Sequence, residues 1–302
     1  MSPINSENDL KCGASLGGCS ILLILVSLFL PFKFTLFFSG LPIFISFLAY
    51  GSNCGVAATS LASVILFLTA SLEASCDIFL NFIAPAALFG GLSIKNIVKG
   101  QKTWWYPESF LLQNFVLLSF FSVVFLSLFF YSEDVLLKAS QEAVKVIFKP
   151  NDPNALLARQ YLASSIKYSL GISVLTKMFI GVLNFNLARL ILTKMRKNIR
   201  PSFSFKDLRT HSFIAIFPLV SLTLANLFPP LSFLFSGLFI VGLFAPMCVG
   251  FQVIRRFSDG YSGNRVMIAF FIVLLMLALP TITLLIILGI VDSFYPLKRS
   301  GS

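Results

Sequence analysis

Glu73, Asp77 and Asn81 stand four residues apart in "LEASCDIFLNF". On a helix that spacing stacks all three along one face. Pro85 follows one turn later, where its missing N–H frees a backbone carbonyl. Two carboxylates and an amide leading into a kinked helix are groups that hold a cation, an amine or another polar solute. The plainer reading is a hydrated helix end with Glu73 in solvent. Asn81 lies deepest and separates the two readings.

A second polar set lies in "TKMFIGVLNFNLARLIL", residues 176–192. Arg189 is five residues from Lys194, about 7.5 Å along a helix at 1.5 Å per residue. Its aliphatic stem covers that distance, so an anchor reaching the headgroups is the first reading and a buried charge the second. Lys177 can stretch the opposite way in the same manner. Asn184 and Asn186 cannot stretch. They face other helices, either as interhelical hydrogen-bond partners or as part of a pocket.

The elements that must position these residues follow from composition. Of 302 residues, 57% are hydrophobic and only 12% charged, and the mean hydropathy is +0.90. Soluble domains carry about a quarter charged residues, so this chain cannot cover itself with a water-facing surface. Unbroken apolar runs near the roughly 20 residues of a membrane helix predict an all-α, polytopic transmembrane bundle. We read nine segments, near 13–30, 34–50, 55–72, 75–94, 109–131, 170–193, 212–228, 231–254 and 266–291. Eight to nine cross or enter the membrane. Pro280 leaves the last as one kinked span or two half-helices. Residues 1–12 read as a short polar tail, and 13–299 as one membrane domain.

About half of the 23 basic residues lie in loops 95–108, 194–211 and 255–265. Alternating spans place all three on one side, the cytoplasm by the positive-inside rule, with the amino terminus there too. A single crossing by the last segment puts the carboxyl end outside, whereas "PLKRSGS" argues for inside. The opposite side receives 132–169, whose charges nearly cancel. Val135, Leu136, Ala139, Ala143, Val146 and Ile147 repeat there at helical spacing, which predicts an amphipathic surface helix, then a second running into the span at 170.

Gly13 and Gly17, with Ala14 and Gly18, form overlapping small-xxx-small faces that let helices approach closely, within the chain or with a partner subunit. The five cysteines have no CxxC spacing and read as packing residues, with no metal site. No Walker A, HExxH, GxSxG or nucleotide-binding glycine pattern is present, so we expect no enzyme and no cofactor. The net charge of +11 is spread over short loops instead of gathered on one module, which argues against nucleic acid. The expected partners are the lipid bilayer, a small polar solute, and a membrane subunit packed on the first helix.

The small-residue first helix, "LPIFISFLAYG" (41–51), "WYPESFLL" (105–112), "NFNLARLIL" (184–192) and "LGIVDSFYPLKR" (288–299) resemble, in the same order, the YybS-like family of bacterial membrane proteins. The resemblance spans nearly the whole chain. Where that family tends to carry Gln and His near the end of its penultimate helix, "CVGFQVIRRF" (248–257) offers Val249 and Arg255. The family is distantly similar to the solute-binding S components of energy-coupling-factor transporters. Those bind a solute from outside and dock on a partner through the first helix. The resemblance implies a transport-related protein of the bacterial inner membrane. Its solute would meet Glu73, Asp77, Asn81, Asn184 and Asn186, and its partner Gly13, Ala14, Gly17 and Gly18. The rival reading is an envelope scaffold or assembly protein without a small-molecule ligand.

Overall fold

In a lipid layer every backbone N–H and C=O needs a partner from the chain itself, and a helix supplies them within one segment. The computed structural model obeys that demand. It describes residues 6–29, 33–99, 102–147, 153–197, 199–200, 208–258, 278–295 and 297. The fold is an all-α bundle. Among the described residues, six helical stretches are long and apolar enough to cross a membrane: Leu10–Phe29, Ser52–Thr69, Leu72–Ser93, Glu108–Phe129, Ser165–Lys194 and Pro229–Arg256. Phe34–Tyr50, Ser212–Leu227 and Thr281–Phe294 are apolar but shorter. The loop 259–265, the first part of the segment read as 266–291, and most of "PLKRSGS" lie outside the described residues.

The chain divides into two compact units, Met1–Ser119 with Thr176–Ser204, and Phe120–Leu175 with Phe205–Ser302. In the first, α1 (Ser6–Phe29) starts seven residues before the expected Gly13, so most of the presumed tail is helical. It packs on α3 (Ser52–Thr69) through glycine. A Cβ on Gly13 would meet the Cys54 carbonyl oxygen at 2.7 Å, and one on Gly17 the Ala58 carbonyl oxygen at 2.7 Å. A 3-10 turn, Lys33–Phe38, leads to α2 (Leu41–Tyr50). Gly51, at φ 91°, makes the left-handed turn into α3.

Next come α4 (Leu72–Ile78), a π turn (Phe79–Ile83) and α5 (Ala84–Ser93). Ser71 caps α4 by accepting from the Ala74 N–H at 3.3 Å. Pro85 sits in the first turn of α5, where its missing N–H is tolerated. The core of this unit is aromatic. Phe44 and Phe89 each meet Phe185 edge to face, at 5.4 Å and 4.5 Å between ring centres, the arrangement that ring quadrupoles favour.

The loop 95–108 is ordered into an antiparallel hairpin, β1 (Asn96–Lys99) and β2 (Lys102–Trp105), pairing Ile97 with Trp104 and Asn96 with Trp105. Two helices contribute to both units: α6 (Glu108–Phe129) and α8 (Pro153–Lys194), the latter 42 residues long.

In the second unit, α7 (Glu133–Ile147) is an amphipathic helix, and of its expected stripe the side chains of Ala143, Val146 and Ile147 lie outside the described residues. Val144 is buried and Leu136, Leu137 and Ser140 half-buried, while Val135 and Ala139 are exposed. Then come α9 (Ser212–Leu227), α10 (Ser232–Gly242), α11 (Phe244–Ser258) and α12 (Ala278–Phe294). A Cβ on Gly171 of α8 would lie 2.7 Å from the Gly237 carbonyl oxygen of α10. Helices α11 and α12 touch backbone to backbone, Gly250 against Leu285 and Gly289 against Pro246. Arg256 and Asp292, near the carboxyl ends of these two helices, are 3.0 Å apart.

Candidate functional site

In the first unit, α4 presents Asp77 and the π turn presents Asn81, one helical step further on. The Asn81 amide donates to the Asp77 carboxylate at 2.9 Å and to the Asp77 carbonyl at 3.0 Å. Facing them on α8 is Lys177, whose ammonium reaches both Asp77 oxygens at 2.7 Å. The side chains are 16% exposed for Lys177 and 21% for Asp77. Lys177, read from sequence as stretching away along its own helix, is therefore the counter-ion of Asp77. The carboxylate is held by three N–H donors, the kind of closed charge pair that an apolar bundle requires.

Asn184 lies two turns beyond Lys177 on the same face of α8. It is 1% exposed, and its amide donates to the Phe37 carbonyl at 2.6 Å. Its Oδ1 is buried with no hydrogen-bond partner among the described residues. Gly40 adjoins both strips: a Cβ there would come within 3.4 Å of the Phe82 carbonyl oxygen and 3.6 Å of the Asn184 amide nitrogen. Asp77, Asn81 and Lys177 thus form one bonded cluster at the π turn, and Asn184 lies about 10 Å further along α8. π turns interrupt regular helix pairing and are frequent at functional sites.

The other two predicted ligands lie elsewhere. Glu73 is exposed in the first turn of α4. Asn186 is exposed on a different face of α8 and donates to the Val182 carbonyl of its own helix at 2.9 Å. Arg189 is half-buried, with its guanidinium 5.9 Å from the centre of the Phe185 ring. Nearby, Phe44, Phe89, Phe115, Gly181 and Val182 line a recess whose walls are apolar and which has no room for a water.

The first-helix glycines split into two sets. Gly13 and Gly17 are spent on α3 within the chain, whereas Ala14 is exposed and nothing lies within 4 Å of a Cβ placed on Gly18.

Two further charge constellations escaped the sequence reading. At the hairpin, Arg200 donates to the carbonyls of Ser93 at 3.1 Å and Tyr106 at 3.0 Å and lies 3.6 Å from Glu108. Burial lowers its pKa from the ordinary value, Glu108 opposing that and Arg189 adding to it. In the second unit, Arg256 donates to both oxygens of Asp292 at 3.0 Å, and to the Leu208 carbonyl at 3.3 Å. Asp292 also accepts from the Leu297 N–H at 3.0 Å. The side chains are 6% and 0% exposed. Arg256 Nε and Gln252 Oε1, one turn apart on α11, are buried without hydrogen-bond partners among the described residues. The only available signal was an arginine and an aspartate, each at the end of an apolar run.

Among the described residues no group of three His, Cys, Asp or Glu side chains is placed to hold a metal ion. No protein-family model, no curated protein and no solved structure matches the chain.

Proposed function

We propose that this multi-pass membrane protein binds a small polar solute at the Asp77–Lys177–Asn81–Asn184 cluster and serves transport across the bacterial inner membrane. The observation that carries the reading is the Asn184 Oδ1, a buried acceptor with no partner among the described residues, two turns from a charge pair within one apolar unit. Such groups are costly in a lipid-embedded bundle unless something uses them. In the solute-free form Lys177 occupies Asp77. A solute carrying both an amine and an acid group takes over both partners, its ammonium on Asp77 and its acid oxygens on Lys177. The resemblance to the YybS-like family and, through it, to S components of energy-coupling-factor transporters points the same way, and the reading takes the amino terminus to lie inside.

Mass spectrometry of small molecules retained by the purified protein tests this. The wild type should carry a polar solute that Asn184→Leu and Asn81→Leu lose while both still fold. Finding no solute across several lipid compositions sinks the reading.

A second reading rests on Ala14 and Gly18. Their open, close-approach face on α1 fits the helix of a partner subunit, in a scaffold or a transporter alike. Gly18→Leu should then abolish recovery of a co-purifying membrane protein, and retention of that protein excludes the face.

A further inference from the structure

The hairpin β1–β2 has an apolar face that the protein leaves uncovered. Ile97 and Trp104 are paired across the strands, and they are 55% and 60% exposed. Residues directly opposite each other in an antiparallel pair lie on the same side of the sheet. The other side is held. Trp105 is only half-exposed, with the Arg200 guanidinium 5.8 Å from its ring centre, and Arg200 also bonds the Tyr106 carbonyl. The hairpin is thus fastened to the unit at Trp105, and the side bearing Ile97 and Trp104 faces outward.

What covers that side follows from where the hairpin is tied. It starts three residues after Ser93, the end of one candidate span, and ends three residues before Glu108, the start of the next. Three residues reach at most ~10 Å and a four-residue strand about 13 Å. Such short tethers keep the hairpin close to the membrane surface, within reach of the headgroups. Tryptophan is enriched at that depth, where its ring is apolar and its N–H wet. The charge fits as well. Lys95 is exposed, the register sets Lys99 opposite Lys102, and this segment carries no acidic residue before Glu108. Clustered lysines beside a span attract anionic lipid.

We propose that the hairpin is a lipid-reading anchor, which seats Ile97 and Trp104 among the headgroups and selects anionic phospholipid through Lys95, Lys99 and Lys102. This does not depend on a solute-binding role.

The two tryptophans, Trp104 and Trp105, make the idea measurable. In Trp105→Phe, Trp104 is the sole indole, and the protein can be placed in nanodiscs of mixed phosphatidylcholine and phosphatidylglycerol. Trp104 fluorescence should be quenched by lipids brominated near the headgroup, and more when the bromine is on phosphatidylglycerol. The triple change Lys95→Gln, Lys99→Gln, Lys102→Gln should erase that headgroup preference and leave the quenching itself. Should Trp105→Phe not fold, Trp104→Phe should remove the lipid-quenched part of the emission from the otherwise native protein. Quenching by aqueous acrylamide but not by brominated lipid overturns the anchor. Protection from both overturns it in favour of a protein partner, and equal quenching by both lipids overturns the anionic selection.

Discussion

Asp77–Lys177 and Arg256–Asp292 are both ion pairs in apolar surroundings, but they should behave differently when broken. Arg256 and Asp292 are 6% and 0% exposed, so removing one leaves a charge with almost no access to water. Arg256→Met or Asp292→Asn should each cost roughly 3–5 kcal/mol, the usual penalty for orphaning a buried charge. Asp77 and Lys177 retain about a fifth of their exposure. Asp77→Asn or Lys177→Met should cost only about 2 kcal/mol, because the survivor can still hydrate, and the double variant should recover most of it. Denaturant titration in one detergent measures all of these, and equal losses for the two pairs would refute the ranking. Lys177 was visible in the sequence as a membrane charge, but its partner lies a hundred residues away. Hydropathy treats each charge alone, so the stretch towards water was the reading it allowed. Asn81 and Asn184 were legible because amides cannot escape a helix interior by stretching. Asn186, two positions on from Asn184, was not separable by type. Only the helix face distinguishes them.

At the scale of elements, glycine decides which helices touch. A methyl on Gly17 would press on the Ala58 carbonyl at 2.7 Å, whereas one on Gly18 meets open space. Gly17→Ala should therefore destabilise by about 1–3 kcal/mol through backbone displacement. Gly18→Ala should stabilise by up to about 1 kcal/mol, the helix propensity it gains. Thermal unfolding of the pair in one lipid composition distinguishes them, and a shared sign would contradict the packing. The end of α8 offers a third case. Arg196 adopts φ 54°, and its neighbour Lys197 bonds back to the Leu192 carbonyl at 3.0 Å, a closing turn that usually carries glycine. Arg196→Gly should raise stability by about 1 kcal/mol, since an L side chain is disfavoured there by that amount or more. The same unfolding experiment reads it.

The long helices were legible because lipid demands a length and a composition, and both are written along the chain. The hairpin was not. "NIVKGQKTWW" has a glycine between two short β-forming runs, but its lysines mark it first as a loop. The π turn has no residue signature beyond Pro85. On α7 the buried stripe runs through Leu137, Ser140 and Val144, where burial follows the neighbours and not the most apolar alternation.

For the whole molecule, orientation rests on the basic loops, and the second unit adds a constraint that loop counting lacks. Arg256 bonds both Asp292 and the Leu208 carbonyl, and Ser212 donates to the Ser293 carbonyl at 3.3 Å. The far end of α12 therefore lies beside residues 208–212, where the basic turn runs into α9. Reporter fusions in that turn and after Leu297 should give the same sidedness, and opposite signals would overturn the arrangement. The open question from sequence, whether the carboxyl end is inside or outside, arose because charge in "PLKRSGS" and a single crossing gave contrary answers.

The hydroxyls of Thr210 and Ser293, 2.9 Å apart, carry this into chemistry. Thiols in their place would be within bridging distance, and they would meet whatever redox buffer bathes that face. On the proposed orientation, Thr210→Cys with Ser293→Cys should stay reduced in untreated cells, as cytosolic thiols do, and close into a disulfide when a permeant oxidant is added. A bridge that forms unaided would place this end of the protein in the oxidising space outside.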